Sequence, residues 1–220
     1  MEKQNALNRR NFLKATAAAA GSLAGLVMLP QCGTAGDTGR PESIHIIGPR
    51  EGYSPQVGTL VSMLDWMRMV VVNTVQGLGP KELNYLHDSK ANTIGAMLLH
   101  LAALEAFYQV TTFTNRKELN AAGKKKWQTA LDLGDAGRKK IKGHNLNYYL
   151  DILQRGREYT LAEFRKRDDQ WLMQVDPAFF GGQPTNNYCK WFHVCEHESN
   201  HNGQIKWLKS RLPGTRAGND

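Results

Sequence analysis

The 220 residues predict an all-α fold, a four-helix bundle preceded by an N-terminal signal segment. Three observations carry that expectation. Apolar residues recur at helical intervals in four long segments. No segment shows the alternation of a half-buried strand. Stretches containing Gly and Pro separate the helical segments. With 41% hydrophobic residues, the chain can build one core of ordinary size. Beyond the N-terminal stretch, no run stays apolar for the ~20 residues a spanning helix needs.

Residues 1–35 read as a leader. Asn8-Arg9-Arg10-Asn11-Phe12-Leu13-Lys14 precedes an uncharged, largely apolar run from Ala15 to Leu29. This order resembles a twin-arginine export signal; a simple membrane anchor is the alternative. Leu29-Pro30-Gln31-Cys32-Gly33 is similar to a lipobox with Cys32 as the lipidated residue, although Gln31 stands where a small residue is usual. Cleavage after Ala35 is the competing reading. A lipid on Cys32 would hold the chain at a membrane surface without a spanning helix. The expected location is therefore periplasmic, or membrane-anchored outside the cytoplasm.

Residues 36–56, rich in Gly, Pro, Thr and Ser, read as a tether or irregular arm. The helical domain is expected over 57–213, with 214–220 as a tail. Its first helix runs from Val57 to Gln76, with Leu60, Val61, Leu64, Met67 and Val71 at helical spacing, and Gly77-Leu-Gly79-Pro80 stops it. Lys81 to Lys90 is a short polar connection. Asn92 or Thr93 caps a second helix through Met97, Leu101, Leu104 and Tyr108 to about Thr111. A short helix is expected around Trp127 to Leu133, ended by Gly134 or Gly137. Asn145 or Asn147 caps a third long helix with Leu153, Tyr159, Phe164 and Trp171 on or near its inner face. Pro177 to Pro184 reads as a loop, and the last helix spans about Asn186 to Arg211, closed by Pro213-Gly214.

The formal net charge is +8. The leader through Gln31 holds Lys3, Arg9, Arg10 and Lys14 against Glu2, so the remainder carries about +5. Basic residues cluster at 124–126, 138–140 and 165–167. Such runs attract anionic phospholipid or an anionic ligand, or form solvated faces. No aromatic-basic motif points to nucleic acid. Cys189 and Cys195, six positions apart on one helix, face different sides. Two free thiols are expected rather than a bridge or a metal pair.

The chemistry concentrates in His193-Val-Cys-Glu-His197-Glu-Ser-Asn-His201-Asn-Gly203-Gln204. Residues four apart share a helix face about 6 Å apart, so His197 and His201 can hold one ion. His193 with His197 is the other register; one ion cannot take both His193 and His201, which lie about 12 Å apart along the axis. A third donor is available in His100, flanked by Met97, Leu101 and Leu104 on an apolar face. An imidazole there needs a partner, because an unpaired buried polar group costs about 1–3 kcal/mol. A carbonyl or carboxylate would serve as well as a metal. Gly203 is a second signal. Glycine inside a helix costs about 1 kcal/mol relative to alanine, so a neighbouring helix or a ligand is expected to approach there.

Asn92-Thr-Ile-Gly95 through Leu98-Leu-His100-Leu-Ala-Ala-Leu-Glu105, together with Glu196-His197-Glu-Ser-Asn-His201-Asn-Gly203-Gln204-Ile205, resembles the DinB family of metal-dependent enzymes. The segments Gln76 to Leu83 and Tyr149 to Trp171 are similar to that family's first and third helices, so the resemblance covers roughly Val57 to Pro213. It implies a four-helix bundle with a metal held by three histidines: His100, His197 and His201 here. It leaves His193 as a second-shell or pocket residue. Three neutral imidazoles suit zinc or nickel, and less readily manganese or iron, with water in the remaining position. Glu105, Glu196 and Glu198 are candidate proton shuttles or partners for ligand N–H groups. Glu198 points about 100° away from His197, and a solvent-facing glutamate is its alternative. Glu105, five residues past His100, reads equally as a surface or interhelix partner.

Members of the family include thiol-dependent transferases and isomerases, and paired bundles are common, so a homodimer is one expectation. This chain departs from that pattern in its leader and in a long basic insertion over 114–143. Three function classes follow, one of them a structural bundle whose histidines merely satisfy one another; the other two are these. One is an exported metal-dependent hydrolase or transferase acting on a small molecule. The other is a non-enzymatic metal- or ligand-binding lipoprotein. An open coordination position beside a pocket separates the first from the second.

Overall fold

A computed structural model describes residues 43–114 and 116–215; the expected leader, with Cys32, lies outside them. Four long helices dominate: α1 (Pro55–Val75), α3 (Ile94–Phe113), α6 (Leu146–Phe164) and α8 (Asn187–Lys209). Short helices α2 (Pro80–Leu83), α4 (Ala121–Asp132), α5 (Gly134–Lys140) and α7 (Asp169–Met173) fill the connections, and strands β1 (Val175–Phe180) and β2 (Gln183–Asn186) precede α8. α1 packs on α8, α3 on both α6 and α8, and α4 lies along α3. This is the all-α bundle that the apolar periodicity implies.

The helix starts follow from capping chemistry. Thr93, Asn120, Asn145, Asp168 and Asn186 each accept a hydrogen bond from the backbone N–H three residues on, satisfying a donor with no partner inside the helix. α1 is capped from elsewhere. The Asp169 carboxylate in α7 accepts from Gln56 N, Val57 N and the Ser54 hydroxyl at 2.9, 3.1 and 2.6 Å. One side chain thus satisfies the first turn of α1 and fixes α7 against it.

Four expectations differ from what is observed. Pro177 to Pro184 falls within an antiparallel hairpin rather than a loop, with Val175 opposite Asn186 and Asp176 opposite Thr185. Its strands are too short and irregular for an alternating pattern to register. Trp171 belongs to α7 and not to the third long helix, which stops at Phe164. Tyr159 is 49% exposed and off the inner face. The basic insertion holds two helices. Leu133, at φ 54°, breaks the chain between them, and Gly134 starts α5 instead of ending α4.

The core has two halves. One gathers Leu98, Leu101, Tyr149, Leu153 and Ile205, the other Leu60, Leu64, Tyr108, Phe164 and Trp191. Residues 43–54 are not a free tether. Gly48 N donates to the Ser62 hydroxyl at 3.1 Å, and the arm crosses α1 at Gly58. A Cβ built there stands 2.4 Å from Arg50 N, which backbone cannot avoid without moving. Gly58→Ala is therefore expected to lift the arm and cost about 1–3 kcal/mol. A thermal melt checks this, at roughly 2–4 °C per kcal/mol for a domain of this size; an unchanged midpoint refutes the close approach.

Candidate metal centre

His100 stands midway along α3, and His197 and His201 share one face of α8. The packing of α3 on α8 brings the three rings together. His100 Nε2 lies 2.8 Å from His197 Nε2, and His201 Nε2 lies 3.0 Å from the same atom. Among the described residues these three form the cluster whose donor atoms all lie within 4.8 Å of one another. Both His100 and His201 are 8% exposed.

Their outer nitrogens settle the tautomers. His100 Nδ1 is 2.8 Å from the Ala130 carbonyl, which can only accept, so Nδ1 carries the proton and Nε2 a lone pair. His201 Nδ1 is 3.0 Å from Gln204 Oε1. The Gln204 amide nitrogen in turn donates to Asn200 Oδ1 at 3.3 Å; with its oxygen toward His201, the proton sits on His201 Nδ1 and Nε2 is bare as well. Two lone pairs therefore face His197 Nε2. A neutral His197 can donate to only one of them, so the arrangement is a set of acceptors in want of a cation. These three nitrogens would hold a divalent ion, and the outer partners orient the rings as metal-binding histidines require.

The electrostatics agree with neutral ligands. Burial, and then the neighbouring His201, His100 and His193, hold His197 down to about 3. Burial and His100 lower His201 to about 4, against the opposing Gln204 bond. Burial also lowers His100, with the Ala130 and Leu131 backbone opposing. All three stay unprotonated at neutral pH, as coordination demands.

The remaining candidates fall elsewhere. His193 Nδ1 is 2.8 Å from the Tyr108 hydroxyl, and its ring sits 5.2 Å from that of His197. It lies one turn outside the cluster as a pocket residue. Phe180 of β1 packs edge-on against it at 5.2 Å, so the hairpin forms one wall beside the histidines. Lys190, buried under Phe179 and paired with Asp176 at 3.1 Å, ties that hairpin to α8. Cys189 and Cys195 are free thiols.

Glu105 and Glu198 correct the expectation that they support the ligands. Neither hydrogen-bonds a histidine; both are buried against arginines. Glu105 accepts from Arg157 Nε at 2.9 Å, Arg68 Nη2 at 2.7 Å and the Thr160 hydroxyl at 2.7 Å. Glu198 Oε1 accepts from Arg68 Nη2 at 2.6 Å and Arg157 Nη2 at 2.9 Å. α1, α3, α6 and α8 contribute one charge each to this neutral quartet, which lies just past the histidines along α3 and beside His197 on α8. The two arginines went unremarked in the sequence. The available signal was Arg68 between Leu64 and Val71, and Arg157 in register with Leu153 and Phe164, charges on otherwise apolar faces.

The model of the mycothiol S-transferase family matches residues 59–214. The chain belongs to that family, which is DinB-like. The match suggests a metal-dependent transferase or hydrolase of DinB type, in keeping with the three-histidine cluster. A solved structure, described as a conserved protein from Enterococcus faecalis, is 16% identical over 71% of this chain and 96% of its own, with a TM-score of 0.55. That likeness shows a shared fold. A comparison with curated proteins finds no match.

Proposed function

We propose that this chain is an exported, metal-dependent S-transferase that joins a small thiol to an electrophilic small molecule. The observation behind it is the meeting of three imidazoles whose outer nitrogens are satisfied and whose inner lone pairs converge. Three protein donors leave a tetrahedral ion one open position. A divalent ion held there, zinc or nickel by its all-imidazole donors, supplies the positive charge that makes a thiol acidic.

The chain's own residues do the rest. Ala130 and Gln204 hold the rings in one tautomer. Tyr108 and His193, hydrogen-bonded to each other beside His197, offer a route for the thiol proton, and Phe180 packs edge-on against His193 on that side. In the transfer the sulfur forms a bond to the electrophilic carbon, the bond from that carbon to its leaving group breaks with the electron pair going to the leaving group (chloride for a chlorinated aromatic), and the thiol proton leaves to solvent. The family match supports transfer over hydrolysis. The Arg9-Arg10 leader, a lipid anchor at Cys32 and a homodimer belong to the same proposal.

Elemental analysis of purified protein, beside a His197→Ala/His201→Ala double variant, is the test. One equivalent of metal in the wild type and none in the variant is expected, with transfer of a thiol to a chlorinated aromatic electrophile lost in step. Equal, negligible metal in both overturns the proposal. Metal with hydrolysis but no thiol transfer replaces transferase by hydrolase.

A further inference from the structure

The charge of this chain is concentrated in one place. Over residues 114–143, nine basic side chains stand against Glu118, Asp132 and Asp135, a surplus of +6. The leader through Gln31 carries +3 of the total +8, so everything else comes to −1. The insertion that holds α4 and α5 is thus a basic body on a nearly neutral bundle. Neither the metal centre nor the arginine–glutamate quartet uses that charge.

Only the inner side of the insertion is engaged. Along α4, Trp127, Ala130 and Leu131 pack on the core, and the Ala130 carbonyl holds His100 Nδ1. Lys124, Lys125 and Lys126 are exposed. Lys125 lies about 200° round the helix from Trp127, with Lys124 and Lys126 on its flanks. Beyond Leu133, Lys139, Lys140 and Lys142 are exposed as well. Arg138 is the exception. It donates to the Lys90 and Ala91 carbonyls and to Asp135, which fastens α5 to the chain ahead of α3. Lys124 pairs with Glu118 at 2.8 Å where both are open to water, a pair worth little. Among the described residues, Lys125, Lys126, Lys139, Lys140 and Lys142 form no ion pair.

The spacing of these lysines selects the kind of partner. Consecutive residues of a helix splay by about 100°, so the lysines of α4 cannot close together on one small anion. Their long stems do let them bend toward one broad surface. The leader brings such a surface near. A chain held by a lipid on Cys32, eleven residues before Ser43, keeps the start of the domain within about 40 Å of the bilayer.

We infer that the α4–α5 insertion docks on the headgroups of an anionic phospholipid bilayer. Each basic residue near such a surface adds roughly fivefold to binding, so the unpaired lysines suffice to hold the bundle with this side toward the lipid. The inference takes the nearness of a bilayer from the export and lipid reading; the transferase chemistry has no part in it.

The test mixes the metal-loaded full chain with vesicles of phosphatidylcholine, alone or with one-third phosphatidylglycerol, and reads binding by sedimentation. The uncharged vesicles report what the apolar run of the leader binds by itself. Wild type is expected to bind the anionic vesicles at least tenfold more tightly, and to lose that preference in 1 M salt, where screening acts within about 3 Å. Lys125→Glu/Lys139→Glu/Lys140→Glu/Lys142→Glu is expected to lose it at low salt while keeping its metal. Glutamine at the same four positions, which removes charge without reversing it, is expected to fall between. Should the glutamate set shed its metal, the glutamine set is judged by the same ratio. No preference in wild type, or a preference of wild-type size in the variants, overturns the docking surface. Tighter binding to soluble polyglutamate than to anionic vesicles assigns the lysines to an acidic protein and overturns it too. An unlipidated Cys32, read by mass spectrometry of the membrane fraction, overturns the anchor and leaves a measured vesicle preference standing.

Discussion

Replacing Glu105 with alanine is expected to cost about 3–5 kcal/mol, the loss that follows when one partner of a buried ion pair is removed and the other stays behind. Two guanidiniums, 7% and 4% exposed, would then be left with the buried carboxylate of Glu198 and the half-buried Asp65, 3.9 Å from Arg157. Each arginine also donates to a backbone carbonyl, Arg68 to Leu153 at 2.8 Å and Arg157 to Leu64 at 2.7 Å. Neither can swing out to water without breaking the packing of α1 on α6. Urea denaturation measures the loss, and a cost below about 1 kcal/mol would mean that water reaches the quartet.

The same carboxylate sets a pH dependence. Burial alone would raise Glu105, but Arg157 and Arg68 overcome it and hold the group down to about 2. In the unfolded chain it titrates near the ordinary glutamate value of 4.5. Above pH 4.5 it is ionised in both states and its stabilisation is complete. Between 4.5 and about 2 the unfolded chain takes up a proton that the folded chain refuses, and about 3 kcal/mol drains away. Glu105→Gln should lose that slope. Pairing Glu105→Gln with Arg157→Met tests the coupling, since removing both charges is expected to cost less than the two single losses together.

The quartet also shows what the sequence could and could not reveal. Helical periodicity needs only the chain itself, so α1, α3 and α8 were legible to within a few residues, while α6 was read on through Trp171 and ends at Phe164. Capping by Thr93 and Asn145, each one of two nearby candidates, was legible because it is local. His100, His197 and His201 stood out because two are four residues apart and the third breaks an apolar face. Arg68 and Arg157 are set by which helices touch, a property of packing that no local window contains. The hairpin at β1 and β2 is held by Lys190–Asp176 and by aromatic contacts to α8, so its strands carry little signal of their own. Leu133 at positive φ was invisible for a plainer reason: the adjacent Gly134 is the residue that conformation favours.

Stripping the metal is expected to lower the melting midpoint by roughly 8–16 °C. An ion present at a thousand times its dissociation constant adds about 4 kcal/mol to the folded state, because the unfolded chain cannot assemble three imidazoles from α3 and α8. Acid adds a separate loss, common to metal-loaded and metal-free protein. His197 and His201, held down to about 3 and 4 in the fold, take up protons near pH 6.5 once unfolded. Metal-free protein therefore weakens progressively as pH falls below 6.5, the direction in which the unfolded state binds more protons. Calorimetry with and without a chelator, at pH 7.5 and pH 5.5, measures both effects. His197→Ala should melt at the same temperature with or without chelator. A chelator shift of wild-type size in that variant would place the ion elsewhere, because no other residue can supply the nitrogen that faces both His100 and His201.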